Sequence, residues 1–156
     1  MMPRTFTATL SLLALLAGCG GPGEDATIPQ AQPAEETSLT VDGYTIHFNA
    51  QSTDSLPPEV ARQYNIVRSK NRAMLNVTII NDDGSAATGA VAVKTVNLTG
   101  QLKNVQMRKI QEQEAVYYIG EIPVANSETL VFDISVVPDG REDPIEVRFQ
   151  RQFYTN

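Results

Sequence analysis

The sequence predicts an all-β domain, an immunoglobulin-like antiparallel β-sandwich of about seven strands with one short helix after the first strand. Apolar and polar residues alternate in short segments, most regularly from Leu130 to Val136, and a period of two is typical of half-buried strands. Turn signals rich in Asn, Asp, Pro and Gly separate these segments, at residues 81–84 and 138–140 for example. Their spacing of roughly 8–12 residues is typical of sandwiches and small barrels. Alternation does not encode strand order, so both architectures remain open.

The first strand and the helix follow from two local patterns. Tyr44, Ile46 and Phe48 alternate with polar residues, which predicts a strand with one buried face. A short helix is predicted within residues 55–64, because prolines are tolerated where a helix begins. Val60 and Tyr64 within it are four residues apart, which places them on one helix face.

The remaining strands are predicted from residue 75 onward. Val91 and Val93 share one phase of the alternation, whereas Val96 and Leu98 share the other, which predicts a β-bulge near residues 94–95. The other predicted strands are 75–79, one starting at 105–107, 115–124, 130–136 and 145–153.

The segment before Cys19 resembles a bacterial lipoprotein signal. Arg4 is the only charged residue before Glu24, and an apolar stretch of signal-peptide length follows it up to Leu16-Ala17-Gly18-Cys19. This ending resembles a lipobox, which implies cleavage before Cys19 and acylation of its thiol. The alternatives are a plain signal peptide beside a free thiol, or a short membrane anchor. Gly20, in place of an aspartate, favours the outer membrane over the inner membrane.

We therefore predict three regions: a signal peptide over 1–18, a lipidated Cys19 with a flexible tether to 37, and the β domain over 38–156. Residues 20–37 are rich in Gly, Pro, Gln and acidic residues, a composition that cannot bury a core. As a random coil this tether would span about 23 Å. The formal net charge of −6 argues against nucleic-acid binding and against docking on anionic lipid.

The most concentrated group of charges in the domain is Arg68, Lys70 and Arg72. These three cations could bind a carboxylate, a phosphate or an acidic partner. Alternatively, they pair with acidic residues of the same chain and fix the connection into the sandwich. The sequence leaves both interpretations open and names these three residues as the candidate binding site.

No set of residues predicts catalysis, a metal site or a cofactor. His47 is the only histidine, and its strand phase places it on the exposed face. The acidic turn at residues 81–85 lacks the pattern of a calcium loop, and Glu112 and Glu114 are predicted to share one strand face. Four aromatic residues could form either a recognition patch or core packing: Tyr117, Tyr118, Phe153 and Tyr154.

Several separated motifs together resemble a bacterial family known as domain of unknown function 4426. They are residues 44–50, 58–61 with Tyr64, 66–72, 117–118 and 153–155. The resemblance covers about residues 38–156 and implies small secreted or lipid-anchored proteins of Gram-negative bacteria, with no assigned activity. We therefore expect a periplasm-facing, lipid-anchored binding or adaptor module with an envelope protein as a possible partner. The alternative is a structural or assembly factor, and an enzyme or metal-binding protein is the weaker hypothesis.

Overall fold

The structure is a computed structural model that describes residues 37–156. Within this range the chain forms ten strands, one α-helix and one 3-10 turn. Helix α1 spans Pro58–Gln63, and the 3-10 turn Thr53–Ser55 precedes it. The strands are β1 (Ser38–Val41), β2 (Tyr44–Ser52), β3 (Arg72–Asn81), β4 (Ala86–Ala87), β5 (Gly89–Asn97), β6 (Leu102–Val105), β7 (Arg108–Glu112), β8 (Ala115–Pro123), β9 (Glu128–Pro138) and β10 (Ile145–Phe153).

The strands form two antiparallel sheets, which confirms the predicted all-β sandwich and rules out a single closed barrel. The larger sheet has the order β1-β2-β3-β8-β7, with β4 also paired to β3. The smaller sheet has the order β10-β9-β5-β6. The short helix lies between β2 and β3, after the first of the predicted strands.

The strand count exceeds the predicted seven for a physical reason. β1 and β4 are too short to show a clear alternation, and the predicted strand beginning at 105–107 is divided between two sheets. β6 pairs with β5 in the smaller sheet, whereas β7 pairs with β8 in the larger one. The chain therefore crosses from one sheet to the other at Gln106 and Met107.

The predicted bulge at residues 94–95 is wrong. β5 pairs with β9 in an unbroken register from Gly89 to Asn97. Thr95 still faces the core and is only 1% exposed. Its hydroxyl is satisfied there, because it donates to the Lys103 carbonyl at 3.1 Å. A buried threonine with a satisfied hydroxyl can occupy a core position, so the apparent change of phase in the sequence is not a change in the backbone.

The core lies between the two sheets. Phe149 stacks on Phe132 with the ring centroids 4.8 Å apart, and it lies 4.9 Å from Phe48 of the facing sheet. The sheets are also joined by Tyr118, whose hydroxyl accepts from the Gly89 amide and donates to the Gly89 carbonyl, both at 2.9 Å. Residues 37–156 contain no cysteine, so this packing uses no disulfide.

The predicted signal peptide, Cys19 and nearly all of the predicted tether lie outside the described residues. The description begins at Thr37, whose carbonyl accepts a hydrogen bond from the Phe48 amide at 2.9 Å. No helix in residues 37–156 is long and apolar enough to cross a membrane.

Candidate functional site

The segment between β2 and β3 forms a closed loop over the outer face of the larger sheet. Thr53 is fully buried at its base. Its hydroxyl oxygen lies 2.8 Å from the Val67 carbonyl and 3.1 Å from the Ser69 carbonyl, and it accepts from the Ser69 amide at 2.9 Å. One side chain thus joins both ends of the loop, which has the form of an Ω-loop. We call residues 53–69 the Ω-loop.

Helix α1 forms within the Ω-loop because its two ends have suitable residues. Pro58 occupies the first turn, where its missing N–H costs nothing. At the other end Asn65 adopts a left-handed conformation with φ 52°. The Asn65 amide then donates to the Arg62 carbonyl and the Ile66 amide to the Ala61 carbonyl, which together form a Schellman motif.

The end of α1 is held against β7 by polar contacts. The Tyr64 hydroxyl donates to the Glu112 carboxylate at 2.8 Å, and the Gln63 amide donates to the same carboxylate. The Arg108 guanidinium donates to the Tyr64 carbonyl. The hydrogen bond to Glu112, together with burial and the nearby negative charge, raises the pKa of Tyr64 above its ordinary value, so the hydroxyl is protonated at neutral pH.

Beneath the Ω-loop a second, smaller apolar cluster forms outside the main core. It joins Leu56, Ala61 and Ile66 of the loop to Met74 of β3 and Ile119 of β8. The cluster fills only part of the space, and a groove of about 250 Å³ remains beside it. The groove is lined by residues without a formal charge: Leu56, Val60, Tyr64, Ile66, Met74, Asn76, Tyr117 and Ile119.

Asn76 is the one amide in this lining. It lies on β3 between Asn49 of β2 and Ile119 of β8. Its Oδ1 atom is buried and has no hydrogen-bond partner. A buried acceptor without a partner lowers the free energy of unfolding by about 1–3 kcal/mol, so Asn76 destabilises the folded domain. We take the groove with Asn76 as the candidate functional site.

The predicted cations lie beside the base of the Ω-loop, and each contacts a different segment of the chain. Arg68 donates to the Asp54 carbonyl at 2.7 Å, and Lys70 donates to the Asn156 carbonyl at 2.7 Å. Arg72 pairs with Glu121 at 3.2 Å. These contacts fit the internal interpretation. The three side chains do not line the groove.

The other residues considered from the sequence are placed as follows. His47 is exposed on the outer face of β2, as its strand phase predicts. Glu112 ends β7 and Glu114 lies in the following turn, so the two carboxylates do not share a strand face. In residues 37–156 no group of three or more His, Cys, Asp or Glu side chains could hold a metal ion.

Of the two interpretations of the four aromatic residues, core packing applies to Tyr118 and Phe153, and the four do not form one patch. Tyr117 and Tyr118 lie on β8 of the larger sheet, whereas Phe153 ends β10 of the smaller sheet. Tyr118 and Phe153 are buried, and Tyr154 is exposed beyond the last strand. Only Tyr117 reaches the groove, because strand alternation turns it to the outer face of its sheet.

The groove was not predicted because its residues are far apart in the sequence. One signal was present: the β8 segment is apolar on both faces, which indicates that its outer face is covered. Tyr117 and Ile119 are the residues on that outer face. What covers them depends on the Ω-loop, whose path strand alternation does not reveal.

The described residues thus define a two-sheet β-sandwich with a small apolar groove under an Ω-loop. The chain belongs to the family described as Domain of unknown function (DUF4426), whose model matches residues 38–156. No curated protein matches the chain.

Solved structures give the same result for the fold. A DUF4426 family protein from Pseudomonas aeruginosa PAO1 is 28% identical, with a TM-score of 0.68, and covers 78% of this chain and 96% of its own. FetP from uropathogenic Escherichia coli strain F11, expressed in the periplasm, is 10% identical with a TM-score of 0.56, covering 78% and 95%. A copper-bound variant of FetP is also 10% identical, with a TM-score of 0.55, covering 76% and 95%. At 10% identity the likeness to FetP concerns the fold alone.

Proposed function

We propose that this protein is a lipid-anchored binding module of the periplasm, and that the groove beneath the Ω-loop receives an apolar side chain of an envelope protein. The observation that carries the proposal is the uncharged groove of about 250 Å³ lined in part by Asn76, whose buried Oδ1 has no hydrogen-bond partner. The proposal assigns no catalytic residue and no cofactor.

The location rests on the amino-terminal pattern. Leu16-Ala17-Gly18-Cys19 resembles a lipobox, and acylation at Cys19 would anchor the chain stably, since each buried methylene contributes about 0.8 kcal/mol. Gly20 favours the outer membrane.

The occupant is inferred from the size and chemistry of the groove. Its volume suits one large side chain, and interfaces are commonly anchored by an aromatic or aliphatic side chain in such a pocket. The lining carries no formal charge, which disfavours a charged ligand because a buried ion needs a partner. Rotation of the Asn76 amide about its last side-chain bond would turn Oδ1 toward an entering N–H or O–H donor.

The test is photocrosslinking in living cells with the full lipidated chain. Val60→p-benzoylphenylalanine places the reactive group at the groove, and Ala92→p-benzoylphenylalanine places it on the exposed face of the smaller sheet as a matched control. We expect one abundant envelope protein to be captured from position 60 and not from position 92. No adduct at position 60, or the same adduct from both positions, would refute the proposal.

Asn76→Leu provides a second, independent readout. The substitution removes the buried unpaired acceptor while keeping the volume of the side chain similar. We expect unfolding in urea to require about 1 kcal/mol more free energy and the adduct at position 60 to weaken at least several-fold. If the variant were more stable and captured the partner equally well, the Asn76 amide would have no part in binding.

A further inference from the structure

Charge and apolar exposure are distributed unequally between the two ends of the sandwich. We call the end formed by residues 67–72, 98–102, 124–127 and 154–156 the basic end. Its segments contain Arg68, Lys70 and Arg72 and no aspartate or glutamate. The opposite, acidic end is formed by turns 42–43, 82–85, 113–114 and 139–144. Those turns contain a single cation, Arg141, and seven acidic residues, Asp42, Asp82, Asp83, Glu114, Asp139, Glu142 and Asp143.

Strand pairing and hydrogen bonds bring the segments of the basic end together. β3 begins opposite the end of β8, and β9 begins opposite the end of β10. The Val124 amide donates to the Asn71 carbonyl at 3.0 Å, and Lys70 donates to the Asn156 carbonyl at 2.7 Å. The β5–β6 turn joins the same end through Lys103, which donates to the Pro123 carbonyl at 2.9 Å.

All of the large hydrophobic side chains that are exposed in residues 37–156 lie at this end. Leu98 and Leu102 flank the β5–β6 turn and are both 75% exposed. Val67 is 61% exposed at the base of the Ω-loop, and Tyr154 is 64% exposed after β10. Exposed apolar side chains and cations at one end of a domain suit a membrane interface, where the apolar groups enter the headgroup region and the cations meet lipid phosphates.

Two carboxylates at this end pair with cations. Glu121 pairs with Arg72, and the half-buried Glu128 pairs with Lys103 at 2.8 Å. These pairs carry no net charge, so the positive charge of the basic end rests on Arg68 and Lys70, which bind main-chain oxygens. Asp54 in the neighbouring 3-10 turn adds one negative charge near Arg68, and the chain as a whole carries a net charge of −6.

The direction of the first strand agrees with this asymmetry. β1 pairs antiparallel with β2 and runs into the turn at Asp42, so the chain enters β1 from the side of the basic end. A lipid anchor upstream of Thr37 is thus connected to the domain from that side.

We propose that the basic end docks on an anionic phospholipid surface, with Leu98 and Leu102 entering the interface and Arg68 and Lys70 binding lipid phosphates. Docking would orient the domain on the membrane that holds its lipid, with the acidic end directed away. This proposal relies on the lipid anchor of the proposed function but not on the groove.

The experiment measures flotation of residues 19–156 carrying Cys19→Ala with vesicles of phosphatidylcholine and phosphatidylglycerol. This chain keeps the whole core but has neither the lipid nor the apolar segment before residue 19, so it isolates the contribution of the surface. We expect binding at low salt, weaker binding at high salt, and little binding to phosphatidylcholine alone. Arg68→Gln with Lys70→Gln should weaken binding roughly tenfold, since each cation near such a surface contributes appreciably. Leu98→Ser with Leu102→Ser should have a similar effect.

Lys94→Gln with Lys109→Gln is the matched control, because it removes the same charge from exposed positions on the two sheets. It should change vesicle binding less than twofold. Equal losses from both charge variants would refute the proposal, since net charge alone would then govern binding. Absence of vesicle binding would also refute it. If no adduct formed at position 60 while vesicle binding was normal, only the proposal that the groove binds a partner would be refuted.

Discussion

Gly120 lies under the crossing from β6 to β7, where only hydrogen can occupy the side-chain position. A Cβ atom there would lie 2.5 Å from Val105 Cγ1 and 2.6 Å from Met107 Sδ. Both side chains belong to the segment that passes between the sheets, and the Gln106 carbonyl oxygen lies 3.3 Å from the same position, so an added Cβ would displace Val105 and Met107 together. Close packing therefore favours glycine at position 120, whereas Gly140 adopts a positive φ.

We expect Gly120→Ala to lower the free energy of unfolding by about 1–3 kcal/mol, the usual cost of overpacking a core. Urea denaturation measures the change. Gly140→Asn serves as the control, because Gly140 has a φ of 87° and open space around its Cα, and asparagine tolerates that conformation. A Gly120→Ala variant as stable as the control would show that the crossing relaxes freely.

Single residues also show why parts of the fold could not be read from the sequence. Thr95 is a polar residue in the core, and its burial depends on the Lys103 carbonyl from the neighbouring strand. Asn76 is polar in the middle of an apolar outer surface and has an unpaired atom. The alternation of apolar and polar residues predicts which sheet face a residue occupies but not what packs against that face. It therefore predicts neither the burial of Thr95 nor the unpaired atom of Asn76.

At the scale of elements, the Ω-loop depends on Thr53. Because its hydroxyl oxygen contacts three backbone groups at the base of the loop, Thr53→Val removes these contacts at nearly constant volume. We expect a loss of about 1–3 kcal/mol, since buried backbone groups become unsatisfied. Amide hydrogen exchange in residues 58–66 should accelerate more than exchange in β9. Uniform acceleration would mean that Thr53 supports the whole domain and not the loop.

A second element-scale network joins the β8–β9 turn to the β5–β6 hairpin. Burial disfavours the charged form of Glu128, but hydrogen bonds from Lys103, Asn97 and the Ala125 amide outweigh that effect and hold its pKa below the ordinary value. A carboxylate with a lowered folded-state pKa stabilises the protein fully above its unfolded-state pKa. That contribution is lost as the pH falls through the folded-state value.

We expect Glu128→Gln to cost about 1.5–3 kcal/mol at neutral pH, the range for hydrogen bonds to charged groups. The acid-induced loss of stability should become shallower than in the natural chain, because one titrating carboxylate is removed. Urea denaturation from neutral to acidic pH measures both effects. Glu121→Gln, which breaks the exposed pair with Arg72, should cost less than about 1 kcal/mol. If the free energy of unfolding fell equally with decreasing pH in the natural chain and in Glu128→Gln, this account would be contradicted.

For the whole molecule, the sandwich was predictable from alternation and turns, but the groove was not. The groove needs β3 beside β8, which places Asn76 opposite Ile119, and it needs the Ω-loop above them. Both depend on contacts between distant parts of the chain. The net charge of −6 argued against docking on anionic lipid, yet a sum over the chain does not show that the cations and the acidic turns lie at opposite ends.

Cys19→Ala separates the contribution of the predicted lipid from that of the folded domain. We expect the natural chain to stay in the membrane fraction after a high-salt wash, because acyl chains are not displaced by salt. The variant should be released by the same wash, since contacts between charged groups and headgroups are screened. Its melting temperature should equal that of the natural domain, because residues 37–156 form their core without Cys19. Gly21→Ala, which leaves Cys19 in place, should behave as the natural chain. Salt-resistant retention of Cys19→Ala would instead show that the apolar segment before residue 19 remains as the anchor.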